Sequence, residues 1–295
     1  MSNPVLHPKM PFWQYQRLPG TNSTLLKTAL WSPFQAEYER LHGDDGDAGD
    51  RALFRAIHAD LLEGAEAFTA EFAVCDVVRN AKHQAFKDWC AANRDKTALT
   101  TKQWDKALSI RAALERQGVR EMLGRPGDFG HGDGEVTVTW HDDEFDLSCK
   151  IRIDWLTKDR AWAVDIKNCG ELTDLDSLSK HACGSLYDIQ AAHYLRGLAE
   201  LGFTETGWAH LWISGSPPYD AVVLPVSQRF IEYGMARRAK AMRRWADAVK
   251  SGYYPRALRD ELESGAELDV PGYIGRGLDR EAMREFNAAI EQAAY

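Results

Sequence analysis

Residues 51–63, RALFRAIHADLLE, set Phe54, Ile57, His58, Leu61 and Leu62 at the i, i+3, i+4, i+7 spacing of one helical face, which predicts a helix with that face buried. Upstream, after an extended start, Asn22 and Ser23 can cap a short helix over TLLKTALW, and Ser32-Pro33 opens a second at FQAEYERLHG. The acidic, glycine-rich GDDGDAGD that follows reads as a loop. A longer helical run covers residues 101–123, and the Gly and Pro of GRPGDFGHGDG stop it. There the period changes. EVTVTW (135–140), DLSCKIRIDWL (146–156) and RAWAVDIKN (160–168) are rich in β-branched and aromatic residues and joined by short polar turns, which predicts an antiparallel meander from Glu135 onward. Helical spacing returns over residues 175–201, with Tyr187, Gln190, Ala191 and Tyr194 on one face, before two more strand-like runs, ETGWAHLWIS and YDAVVLPV. Residues 228–250 form a strongly basic helix, followed by the acidic DELESGAELD and a final amphipathic helix near LDREAMREFNAAIEQ.

Composition narrows the class. The chain has 295 residues, 44% hydrophobic and 27% charged, enough to bury a sizeable core. We expect a single domain over residues 1–295, with a helical N-terminal subregion (1–130) that carries His58, a core (131–257) and a C-terminal extension (258–295). The 36 Lys and Arg against 44 Asp and Glu leave a net charge of −8, so nothing in the total advertises a polyanion as partner. A local basic surface suffices for phosphate recognition, however, and acidic residues can serve a metal ion. No apolar run reaches the length of a membrane span, and MSNPVLHPKMPFWQYQ lacks the basic and apolar regions of a signal peptide, so a cytoplasmic protein is expected. Cys75, Cys90, Cys149, Cys169 and Cys183 are odd in number and widely spaced, which points to buried free thiols.

The chemistry concentrates in the meander. Strand alternation puts Lys150, Arg152 and Asp154 on one face, and Asp165 and Lys167 on one face of the next strand. Pairing the strands gathers two carboxylates, which repel unless a divalent cation lies between them. A lysine beside such an ion can orient or deprotonate water, or offset charge growing on a phosphate oxygen. The pattern suits metal-dependent phosphodiester hydrolysis. A bare D-x-K tripeptide is usually no more than a solvent-facing strand; here it comes with an upstream aspartate, a hairpin and a helix carrying Gln190 and Tyr194.

Together these features resemble the PD-(D/E)xK nuclease superfamily, and within it the RecE-type exonucleases (exonuclease VIII) of phages and prophages. The resemblance runs from Tyr15 and TNSTLLKTALWSP, through the histidine helix ending in Leu61-Leu62-Glu63, to the block Glu135, Trp140, Cys149, Lys150, Arg152 and Asp154. It continues through Gln190 and Tyr194 to the pattern from Trp245 to Pro255, with Ile153 standing where the motif's proline would be. It implies an α/β fold with a restriction-endonuclease-like core, a central mixed β-sheet flanked by helices. His58, Asp154 and Asp165 would be metal ligands with the Ile166 carbonyl, and Glu135 a further acidic one. Lys167 would position or activate the attacking water, with Gln190 and Tyr194 contacting DNA phosphate or steadying Lys167. The ion would be Mg²⁺ or Mn²⁺, one or two per site.

The activity so implied is digestion of linear double-stranded DNA from its 5′ end, leaving 3′ single-stranded overhangs for recombination in a bacterial host cell. A homo-oligomeric ring, tetramer or trimer, and a RecT-like single-strand annealing recombinase would be its partners. Lys150 and Arg152 either bind phosphate or offset the carboxylates beside them. In the basic helix, Arg237, Arg238, Lys240, Arg243 and Arg244 are candidates for DNA-backbone contact. Two alternatives stand beside this reading. One is a RecB- or Cas4-like single-strand nuclease, without the iron-sulfur cluster because no cysteine follows Cys183. The other is a non-catalytic DNA-end-binding module.

Overall fold

The structure, a computed structural model, describes residues 3–8, 10–43, 48–119 and 132–258. Expectations for residues 120–123, most of GRPGDFGHGDG, DELESGAELD and the final helix lie outside the described residues. The first of two compact units, Met1–Arg256, holds every element named below.

A six-stranded sheet organises that unit. Its strands are β1 (Val5–His7), β4 (Gly132–Asp142), β5 (Leu147–Thr157), β6 (Trp162–Cys169), β7 (Gly207–Ser214) and β8 (Ala221–Pro225), hydrogen-bonded in that order. All neighbours are antiparallel except β6 and β7, which run parallel with Asp165 beside His210 and Lys167 beside Trp212. A parallel step needs a crossover, supplied by α8 (Leu175–Gly184) and α9 (Tyr187–Glu200). The helical run expected over 175–201 is thus two helices. The break falls at Leu186, which takes the left-handed conformation (φ 57°) and turns the chain so that α9 packs against the sheet.

Helices cover both faces. Val136, Val138, Trp140, Ile151 and Ile153 meet α2 (Ser23–Ala29), α9 and α10 (Gln228–Ser251) in one core. Val164, Ile166, Leu211 and Ile213 meet α4 (Ala48–His58) and α7 (Thr101–Arg116) in the other. Glycine permits the closest approaches: a Cβ at Gly197 of α9 would come within 2.7 Å of Trp140, and one at Gly234 of α10 would overlap the Asp188 carbonyl. The helix starts follow their caps, with the Asn22 side chain accepting from Leu25 N at 2.9 Å and Ser32 Oγ from Gln35 N at 3.1 Å, ahead of α3 (Pro33–His42).

Several features depart from the sequence reading. The acidic loop gives way to helix already at Ala48, and the helix over 51–63 changes at His58 into a π-helical turn, Ala59–Glu63. This turn buries Asp60, whose carboxylate pairs with Arg111 of α7 at 2.6 Å. The start of the chain forms β1 and α1 (Phe12–Arg17). Residues 65–99 hold α5 (Ala65–Glu71), α6 (Gln84–Ala92) and a small parallel pair, β2 (Phe72–Val74) with β3 (Thr97–Leu99). Of the cysteines, Cys75, Cys149 and Cys169 are buried free thiols, whereas Cys90 and Cys183 are exposed. Among the described residues no helix is long and apolar enough to cross a membrane.

Candidate active site

The site is built where β4, β5 and β6 part company. The β4–β5 register sets Gly134 opposite Trp155 and Val136 opposite Ile153, and between these pairs the ladder opens at Glu135 and Asp154. Glu135 sits there at φ 57°, a conformation that costs a non-glycine residue about 1 kcal/mol or more and is tolerated where surrounding structure enforces it. The alternation of β5 slips at the same point, since Ile153 joins one core and Trp155 the other. Asp154 is the residue in between, and its carboxylate turns to β6, where Oδ2 accepts from Ile166 N at 2.7 Å.

From β6, Asp165 and Lys167 project towards α9. The Lys167 ammonium pairs with Asp165 Oδ2, and Lys167 Nζ also donates to Gln190 Oε1 at 2.9 Å. Gln190 Nε2 in turn donates to Asp165 Oδ1 at 2.7 Å, so one amide clasps both members of the D-x-K pair. Tyr194, one turn further along α9, is buried edge-on against Trp208 and lines the same cleft as Asp154. His58 ends α4 beside these groups, with Nδ1 3.8 Å from Asp154 Oδ2. Four elements, α4, β5, β6 and α9, therefore deliver Asp154, Asp165, Lys167, Gln190, Tyr194 and His58 to one place.

Electrostatics sets their states. Burial, reinforced by the Asp165 charge, pushes the Asp154 carboxyl up to about 7. Glu135 is raised by burial and by Asp154, despite the Arg152 guanidinium that pairs with it. Burial opposes the charge on Lys167, but Asp165, Tyr187 and Asp154 outweigh it and leave the ammonium held above its ordinary value. Burial lowers His58, which keeps its imidazole neutral and able to act as a ligand. In this geometry the carboxylates face protein donors, and no group of three His, Cys, Asp or Glu side chains is gathered to hold a metal ion among the described residues. The expected ligands thus lie side by side without converging on one point. A cleft of about 530 Å³ opens over Asp154, Glu135, His58 and Arg152, with Phe12 and Arg55 at its wall.

A family model described as "PDDEXK-like domain of unknown function (DUF3799)" matches residues 44–257. The chain belongs to this PDDEXK-like family. Among solved structures, one described as "Putative exonuclease" from Eubacterium rectale aligns with a TM-score of 0.59 at 15% identity, covering 89% of this chain and 96% of that one. That likeness is one of fold. No curated protein matches.

The other cationic residues of the PDDEXK-like domain have different surroundings. Lys150 is buried and donates to the carbonyls of Tyr15 at 3.0 Å and Leu18 at 2.7 Å, which ties the end of α1 to the sheet and leaves no ammonium facing a phosphate. Arg152 pairs with Glu135 and donates to Met10 O at 3.0 Å, so it offsets a carboxylate. In α10, Arg238 is buried and reaches Asp142 at 2.5 Å and His193 at 3.1 Å, and Arg237 is held by the fully buried Asp188 at 3.1 Å. These two arginines are internal counter-charges, the partners coming from β4 and α9; Arg243 is exposed.

Sequence reading missed two neighbours. Tyr187 lies under Lys167, its ring centroid 4.0 Å from Nζ. Lys27 of α2 approaches Gln190 Oε1 at 3.3 Å, and burial together with nearby Lys167 pushes its amine down to about 7. The available signal was a lone lysine inside the apolar run LLKTALW.

Proposed function

We propose that the protein is a metal-dependent exodeoxyribonuclease of the RecE type, acting on linear double-stranded DNA from the 5′ end and leaving 3′ single-stranded overhangs for recombination. The observation that carries this reading is the Asp154–Asp165–Lys167 cluster, in which Gln190 clasps Asp165 and Lys167 and Asp154 lines an open cleft. Its support is membership of a PDDEXK-like family and the fold shared with a protein described as an exonuclease.

The donor set fits a hard divalent cation, Mg²⁺ or Mn²⁺. The Asp154 carboxyl, raised by burial and by the facing Asp165 charge, is stabilised as carboxylate once a cation shares the charge of the two groups. Asp154 and Asp165 with the Ile166 carbonyl would hold it, and His58 and Glu135 are the further candidates. When bound, the ion supplies Lewis acidity to a phosphoryl oxygen and acidity to water. Lys167, already charged and fixed, orients the attacking water and offsets negative charge on the phosphate. Gln190 keeps Lys167 and Asp165 in register. The phenol of Tyr194, raised well above its ordinary value by burial, stays protonated and can donate to a phosphate oxygen.

By the same resemblance the chain assembles as a trimeric or tetrameric ring and works beside a RecT-like annealing protein. Linear duplexes labelled at the 5′ or 3′ end, digested with Mg²⁺ or Mn²⁺ beside a covalently closed circle, test the proposal. Early release of the 5′ label with the circle intact is the expected result. Cutting of single strands alone would favour the RecB- or Cas4-like alternative, and no cutting with either ion would overturn the nuclease reading.

A further inference from the structure

Gln190 has one carbonyl oxygen and two lysines compete for it. Lys167 Nζ donates to Oε1 at 2.9 Å and Lys27 Nζ at 3.3 Å, and both stand over the Tyr187 ring, at 4.0 and 4.8 Å from its centroid. A lysine offers donors and a flipped amide would present its own NH₂ to both nitrogens, so the pair fixes which end of Gln190 faces Asp165. Redundancy of this kind has a use. Lys167 must let go of Gln190, at least in part, to engage water or phosphate, and the amide would then be free to turn away from Asp165. Lys27 enters from α2 and is anchored by the neighbouring Leu26 and Ala29 in the core.

We propose that Lys27 is a positioning residue of this centre: it holds the Gln190 amide in place so that Nε2 stays on Asp165 Oδ1 while Lys167 turns to the substrate. Its kinetic consequences rest on the nuclease reading; its structural consequence does not.

The test is a cycle of Lys27→Met, Gln190→Leu and the double variant, assayed on 5′-labelled linear duplex with Mn²⁺. Lys27→Met is expected to lower kcat about 10–100-fold, the range for partners that orient a metal site's ligands. KM for DNA should stay within about threefold, and the double variant within about threefold of Gln190→Leu alone, because a residue acting only through another adds nothing once that other is gone. A merely structural loss would multiply instead. A raised KM at unchanged kcat, or multiplicative losses, overturns the proposal. Independently of activity, the side-chain NH₂ resonances of Gln190, assigned by their loss in Gln190→Leu, should shift in Lys27→Met; unmoved resonances also overturn it. If Lys27→Met does not fold, Lys27→Gln takes its place. A wild-type protein that cuts no DNA defeats the nuclease reading, and the resonances then decide the Lys27–Gln190 contact by themselves.

Discussion

Replacing Asp154 by Asn should make the metal-free protein more stable while abolishing its chemistry. The Asp154 carboxyl is pushed from 3.8 to about 7 by burial and by Asp165. A folded-state value above the unfolded one means that the native state binds its proton more tightly, so stability falls as pH rises from 3.8 and the full cost is present above about 7. At 1.36 kcal/mol for each pH unit that cost is about 4 kcal/mol, an upper figure because Asp165 shares the same charge. Asn removes the charge and its Oδ1 can still accept from Ile166 N. At about 2 °C per kcal/mol for a chain of this size, the variant should melt up to about 8 °C higher in chelator at about pH 8, and with the wild type at about pH 4. Mn²⁺ should narrow the gap and close it at about 1,000 times its Kd, since a ligand adds about 2.7 kcal/mol at 100 times its Kd and about 4.1 at 1,000 times to the form that binds it. Thermal unfolding at the two pH values, with and without Mn²⁺, is the assay. A variant that is less stable than wild type at high pH in chelator, or a difference that does not change with pH, would refute the reasoning.

Further outcomes follow from the remaining ion pairs and close contacts. Arg238→Met leaves Asp142, 1% exposed, without its main partner and should cost about 3–5 kcal/mol in denaturant unfolding, whereas exposed Arg243→Ala should leave stability within about 0.5 kcal/mol. Lys150→Met should release the end of α1, seen as faster amide exchange at Leu18 and its neighbours, with DNA affinity following only as a consequence. Gly234→Ala forces α10 away from the Asp188 carbonyl and should cost about 1–3 kcal/mol by calorimetry, with loss of activity through the displaced Gln190.

How much of this was legible depends on whether the deciding forces were local. The meander was, because β5 carries alternation through Cys149–Asp154 and short turns join it to β4 and β6. So were the caps of α2 and α3, where Asn22 and Ser32 act on amides three residues away. Asp154, Asp165, Lys167 and Gln190 could be paired because they belong to one compact block. The break at Leu186 was hidden, since leucine is not a residue that marks the left-handed region. The role of the α10 arginines was hidden for a different reason. A run of positive charge looks solvated until Asp142 and Asp188, 96 and 49 residues away, turn out to face it. Lys27 entered the site on α2 by tertiary packing alone, 163 residues from Gln190.

In the proposed function, Asp154, Asp165 and Lys167 form a metal-dependent nuclease centre. It is tested most directly by measuring acid-soluble nucleotide released from linear duplex DNA by the wild type and by Lys167→Ala, each with Mg²⁺, Mn²⁺ or chelator. The expected result is release by the wild type with either ion, none in chelator, and a loss of about 10²-fold or more in Lys167→Ala at unchanged fold, as for removal of a positioned proton-transfer or charge-offsetting group. Equal release by both proteins, or release that persists in chelator, would contradict it.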